Sequence, residues 1–108
     1  MGMDLSGAGG YHRWTNMGWR DILSLAESYG WEPIGTGPPR GVKKAKWGVG
    51  TYYSNDGQLF YARDARRLAE ALERALTELS KQQSFSADES EAIREFIEFC
   101  QAGSFRLF

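Results

Sequence analysis

Three segments of the chain repeat apolar residues at the three- and four-residue spacing of an α-helix. The first predicted helix covers 17–29 and carries an apolar stripe made of Trp19, Ile22, Leu23, Ala26 and Tyr29. Asn16, or Thr15 one residue earlier, can cap its start by accepting a hydrogen bond from a free backbone N–H. Gly30 follows at the position where a left-handed residue ends a helix, so both boundaries are readable from the sequence.

The second and third helices are predicted at 62–80 and 87–102, each with an apolar stripe opposite charged residues. Ser86 and Glu89 have the spacing of a capping box, in which each side chain bonds to the backbone N–H of the other residue. Asp64 falls in the first turn of the second helix, where the helix dipole favours a negative charge. We therefore expect Asp64 to serve the start of its own helix.

A β-hairpin is predicted between the first two helices, with strands at 47–54 and 57–61. Asn55, Asp56 and Gly57 supply the turn, because Asn and Asp hydrogen-bond their own backbone and Gly accepts a positive φ. Turn chemistry alone is enough to explain this polar group. The alternative is that its side chains converge on a ligand.

The C-terminal residues alternate as in a strand, with Phe105 and Leu107 on one face and Arg106 on the other. Residues 2–5 or 31–34 are further strand candidates. The predicted fold is therefore α+β: one domain of 108 residues in which three helices pack on a small antiparallel sheet with a central hairpin.

Composition and charge narrow the classes of function. The formal net charge is −1 with a pI near 5.8, so no overall positive field draws the chain to nucleic acid. No window approaches 18 apolar residues and the N-terminus lacks the features of a signal peptide, so neither a membrane span nor secretion is expected. The single cysteine, Cys100, cannot form an intrachain disulfide. These features together favour a cytoplasmic location.

Few residues carry catalytic or metal-binding chemistry. His12 is the only histidine, and Cys100 lies on an apolar helix stripe, which predicts an inert buried thiol. One His and one Cys are too few for a structural zinc site. We therefore assign no catalytic residue, metal or cofactor. The enzymatic alternative is a small metal-assisted hydrolase that uses Asp56 with His12 or a bound cation.

An aromatic and basic combination gives a second alternative. Trp47, Tyr52 and Tyr53 lie beside a loop with four cationic residues, which are Arg40, Lys43, Lys44 and Lys46. Aromatic rings beside cations can bind a nucleotide or single-stranded nucleic acid by stacking. Because the overall charge is near neutral, nucleic acid is not the expected partner.

Several short motifs occur together along the chain: "MGMDLSG" at the start, "SNDG" followed by "DARRLAEALERAL", and "FIEFCQAGSFRLF" at the end. In this combination the chain resembles a group of small bacterial and phage-type proteins without a known activity. It departs from their pattern at Ser104, where they have a second glycine, and at Tyr61, where a Thr or Ser would cap the helix. The resemblance implies a bacterial or phage source, an intracellular location and a shared S-N-D-G element.

The preferred hypothesis is a non-catalytic binding module that contacts a protein partner or a small ligand. Trp and Tyr in loop-rich sequence are typical anchors of such surfaces. The candidate contact residues are Tyr11, Arg13, Trp14, Trp47, Tyr53, Asn55, Asp56 and Gly57. A homodimer is compatible with this surplus of aromatic residues. The resemblance extends the hypothesis to a phage-type inhibitor of a host protein.

Overall fold

The computed structural model describes residues 2–48 and 50–108, and over these residues the fold is α+β, as predicted. Within them it has a four-stranded antiparallel sheet and four helices. In chain order the elements are β1 (Gly2–Gly7), β2 (Gly10–Thr15), α1 (Asn16–Ser28), α2 (Lys44–Trp47), β3 (Leu59–Phe60), α3 (Ala62–Lys81), α4 (Ala87–Gln101) and β4 (Phe105–Leu107).

The hairpin of the sheet lies at the N-terminus. β1 pairs antiparallel with β2, from Gly2 opposite Thr15 to Gly7 opposite Gly10. Gly10 has a φ of +96°, which a residue without Cβ adopts at little cost, so the tight turn can close. The strand order is β2-β1-β4-β3, with the C-terminal strand inserted between β1 and β3. The candidate strand at 2–5 is thus confirmed, whereas 31–34 has no regular secondary structure.

The predicted central hairpin of 47–54 with 57–61 is wrong. Residues 44–47 form a short helix, and 50–58 contain no strand; only Leu59–Phe60 join the sheet, where they pair with β4. Val49 of the predicted hairpin lies outside the described residues. The reason for the error is that backbone groups of the 51–56 segment bond to a side chain of the same loop rather than to a partner strand.

The three long helices are confirmed to within two residues at each end. Thr15 rather than Asn16 caps α1, because its Oγ1 accepts from Gly18 N at 2.9 Å. The capping box of Ser86 and Glu89 is present at the start of α4. Asp64 departs from the prediction: it lies in the first turn of α3, but its carboxylate bonds to side chains outside that helix.

The helices cover one face of the sheet and leave the other open. Alternate strand residues point into the core beneath the helices; they are Met3, Leu5, Phe60, Phe105 and Leu107. The residues between them, including Asp4, Tyr11 and Arg13, point to the open face. Phe60 is the centre of an aromatic cluster, with ring centroids 4.6 Å from Phe105 and 6.1 Å from Trp31. No helix in the described part of the chain is both long and apolar enough to cross a membrane.

Candidate functional site

The structure distributes the predicted contact residues over separate parts of the surface. Tyr11 and Arg13 lie on the open face, whereas Trp14 of the same strand lies on the helix side. Tyr53 and Asn55 line a cleft beside α1. The candidate contact residues therefore do not form one continuous surface.

On the open face, Tyr11 and Arg13 both hydrogen-bond to Asp4 of the neighbouring strand β1. Arg13 Nη1 donates to Asp4 Oδ1 at 2.7 Å, and the Tyr11 hydroxyl donates to the same oxygen. The hydrogen bond from Tyr11, and after it the one from Arg13, lowers the pKa of Asp4, and the bond to Asp4 raises the pKa of Tyr11. In this exposed group the charge of Arg13 is already paired with the Asp4 carboxylate.

The cleft lies between the start of β1, the first turns of α1 and the 52–55 loop, and has a volume of about 310 Å³. Its polar lining consists of Asn16 and Arg20 from α1 with Tyr53 and Asn55 from the loop. The Arg20 guanidinium carbon lies 5.0 Å from the centre of the Tyr53 ring, a cation–π geometry. Among the described lining residues, Arg20 is the only one with a charge.

The sequence explains why these side chains meet. Thr15 sets the start of α1, and Asn16 and Arg20 are then one turn apart on the same side of the helix. Trp19, which is 1% exposed, donates from Nε1 to the Tyr52 carbonyl at 2.7 Å and thereby ties the loop to the helix. The next loop residue, Tyr53, is 44% exposed and lies against Arg20.

Gln58 shapes the rest of this loop. Its side chain is fully buried, and its Nε2 donates to the carbonyls of Thr51 at 2.8 Å and Ser54 at 2.7 Å. Its Oε1 accepts from Asp56 N at 2.9 Å. The S-N-D-G segment is thus wrapped around one buried amide, and this wrapping leaves Asn55 at the cleft.

Gly57 joins the loop to the end of the sheet. Its N–H donates to the Leu107 carbonyl at 2.7 Å, and its φ is +83°. Arg106 Nη1 donates to the Gly57 carbonyl at 2.9 Å from the open side of the sheet. The role of Gly57 in the structure is therefore conformational.

A buried carboxylate holds the far side of the loop. Asp64 is 0% exposed; its Oδ1 accepts from Trp31 Nε1 at 2.9 Å and its Oδ2 accepts from the Tyr52 hydroxyl at 2.5 Å. The Tyr52 hydroxyl in turn accepts from Gly35 N at 2.8 Å. Burial raises the pKa of Asp64, against the opposing effect of these two donors, and burial followed by the bond to Asp64 raises the pKa of Tyr52.

The remaining aromatic candidate, Trp47, does not line the cleft. It belongs to α2, and its Nε1 donates to Thr36 Oγ1 at 3.2 Å. The cations of the 40–46 segment are exposed around it. The aromatic and basic stacking surface predicted from Trp47, Tyr52 and Tyr53 is thus not formed, because Tyr52 bonds to Asp64 and Tyr53 lines the cleft.

The residues of the hydrolase alternative do not converge. His12 lies on the edge strand β2 and packs against Phe96 at a centroid distance of 5.2 Å; burial lowers its pKa, while Glu95 acts in the opposite direction. Asp56 is followed by Gly57, which bonds to Leu107 of β4. Because His12 lies on β2, the strands β1 and β4 separate it from Asp56. Cys100 is buried, which raises the pKa of its thiol. In the described chain no three His, Cys, Asp or Glu residues are grouped to hold a metal ion.

No protein-family model, curated protein or solved structure matches this chain. The site is therefore interpreted from its own residues. Sequence reasoning found Tyr53 and Asn55 but missed Arg20, Gln58 and the role of Asp64. A cation on an exposed helix face is usually only solvated, so Arg20 gives no signal until the loop is placed beside it.

Proposed function

We propose that the chain is a non-catalytic binding module that takes an anionic group, carried by a protein partner or a small molecule, in the cleft beside α1. The observation that carries this proposal is the Arg20 guanidinium held over Tyr53 in a cleft whose described lining has no other charge. A guanidinium offers a planar set of five donors that matches a carboxylate or a phosphate.

Neighbouring groups support the same chemistry. The side-chain amides of Asn16 and Asn55 add donors at the cleft, and the start of α1 favours a negative charge. The described lining contains no His, Cys, Lys or carboxylate that could serve as nucleophile or base. The volume of about 310 Å³ lies at the lower end of small-molecule pockets, which suits one anionic group better than a large cofactor.

The proposal keeps two broader elements of the sequence hypothesis. The module acts in the cytoplasm of a bacterial cell, a setting consistent with a single buried thiol at Cys100. If the source is a phage, its partner is a host protein that it inhibits by engaging an acidic group of that protein. Both elements rest on the resemblance of the sequence motifs.

Removing the guanidinium is expected to weaken anion binding at the cleft strongly. Titration of the ¹⁵N-labelled protein with inorganic phosphate and with N-acetylglutamate should shift the amide resonances of Asn16, Tyr53 and Asn55. In Arg20→Gln these shifts should require about ten- to hundredfold more ligand, because one charge-assisted interaction is worth about 1.5–3 kcal/mol. Comparison of the two probes separates phosphate from carboxylate preference.

The matched control is Arg66→Gln, which removes an exposed cation from α3 outside the cleft. It should bind both probes as the unaltered protein does. Equal losses in the two variants, or shifts confined to the basic 40–46 segment, would show that the anions respond to general charge and that the cleft is not their site.

A further inference from the structure

A second concave surface lies between α1 and α4, away from the cleft. It is a groove of about 260 Å³, with Ile22 and Leu25 on the α1 side and Phe85 and Ile93 on the α4 side. Trp14 of β2 also lines it. Because Leu25, Phe85 and Trp14 remain only partly buried, the groove presents apolar surface to solvent.

Trp14, which lines the groove, has a side-chain donor without a hydrogen-bond partner. Its indole Nε1 is buried and, among the described residues, is the only buried side-chain nitrogen or oxygen without a hydrogen-bond partner. Such a donor typically costs about 1–3 kcal/mol relative to a paired one. An acceptor brought in by an occupant of the groove would remove this cost.

The rim of the groove is acidic. Asp21 of α1 and Glu89 of α4 line it, and no Lys or Arg is among its described lining residues. Asp88 and Glu91 add negative charge to the same half of α4, and Arg94 is the only cation of this helix. The groove therefore complements apolar side chains that are flanked by positive charge.

We propose that this groove binds a cationic, amphipathic segment of a protein partner, which places apolar side chains between α1 and α4 and its Lys or Arg residues against Asp21 and Glu89. This is the helix-in-groove mode of recognition. The surface is small compared with stable interfaces, so binding is weak and reversible. The groove is separate from the anion cleft: its charged lining residues are acidic, whereas the charged residue of the cleft is Arg20.

The probe is a synthetic helical peptide built only from Leu and Lys, with Leu at i, i+3, i+4 and i+7. We expect a Kd on the order of 10–100 µM and a shift of the Trp14 indole N–H resonance, which Trp14→Phe identifies. The combined variant Asp21→Asn with Glu89→Gln should bind about five- to tenfold more weakly. Gln retains the capping-box bond at position 89, so helix α4 keeps its start.

Two controls match this variant. Glu70→Gln with Glu78→Gln removes the same charge from α3 outside the groove and should change the Kd less than twofold. Arg20→Gln should leave peptide binding unchanged, which separates this site from the cleft. A peptide with Glu in place of every Lys should not bind.

Three results would overturn the proposal. The first is that the α3 control variant weakens peptide binding as much as the groove variant does. This would indicate that the peptide is attracted to acidic helices in general. The second is absence of a Trp14 shift at saturation. The third is concentration-dependent self-association in light scattering that is lost in the groove variant, because a second copy of the chain would then be the occupant.

Discussion

Replacing Asp64 with alanine is expected to lower the free energy of unfolding by about 3 kcal/mol, which corresponds to a fall in Tm of roughly 15 °C for a domain of this size. The substitution leaves Trp31 Nε1 and the Tyr52 hydroxyl without their buried acceptor. It also removes the cost of burying a carboxyl group. The expected loss of stability is therefore smaller than the summed cost of leaving two buried donors unpaired. Chemical denaturation followed by far-ultraviolet circular dichroism measures the difference.

The pH dependence of stability provides a second readout. Burial raises the folded-state pKa of Asp64 above its unfolded value. The folded protein therefore favours the protonated form, and the contribution of this residue to stability is complete below the unfolded pKa of about 3.9 and declines as pH rises through the raised value.

Asp64→Asn should remove this pH-dependent contribution while retaining much of the stability, because its amide can still accept from Trp31 and donate to the Tyr52 oxygen. If Asp64→Asn and the unaltered protein change in parallel between pH 4 and pH 8, Asp64 does not titrate as its buried position requires. Asp88→Ala, an exposed change in α4, should shift stability by less than 0.5 kcal/mol in comparison.

The helices could be predicted closely because their signals are local. The apolar stripe, the Thr15 cap and the capping box at Ser86 each depend on residues within one or two turns. The β2 strand also had a local signal, since Tyr11 and Arg13 alternate with inward residues, but no strand was predicted there.

The 50–58 loop could not be predicted in the same way. Tyr52 and Tyr53 suit a strand by propensity, yet Tyr52 is used for contacts with Asp64 and Gly35, which are distant in sequence. β-propensity measures fit to a pleated surface and yields to such tertiary contacts. The cleft could not be predicted for the same reason, because Arg20 and Tyr53 come into contact only in the folded conformation of this loop.

Gln58 is the residue on which both the loop and the cleft depend, so Gln58→Ala should affect stability and binding together. It removes the bonds to Thr51, Ser54 and Asp56 and leaves an internal cavity. We expect a loss of about 3 kcal/mol in unfolding free energy and loss of the phosphate-induced shifts at Tyr53 and Asn55. Gln82→Ala, an exposed change between α3 and α4, is the matched control and should alter neither.

Gln58→Glu distinguishes the hydrogen-bond pattern from the shape of the side chain. The carboxylate can accept from Asp56 N, but its second oxygen then faces the carbonyls of Thr51 and Ser54, to which it has no proton to donate. This variant should be least destabilised near pH 4, where the carboxyl is protonated, and should lose stability and the cleft shifts as pH rises. If it matches the unaltered protein at neutral pH, the amide donors do not hold the loop. The position of Tyr53 over Arg20 must then come from the bonds that Tyr52 makes with Trp19 and Asp64, and Trp19→Phe rather than Gln58→Ala would weaken anion binding.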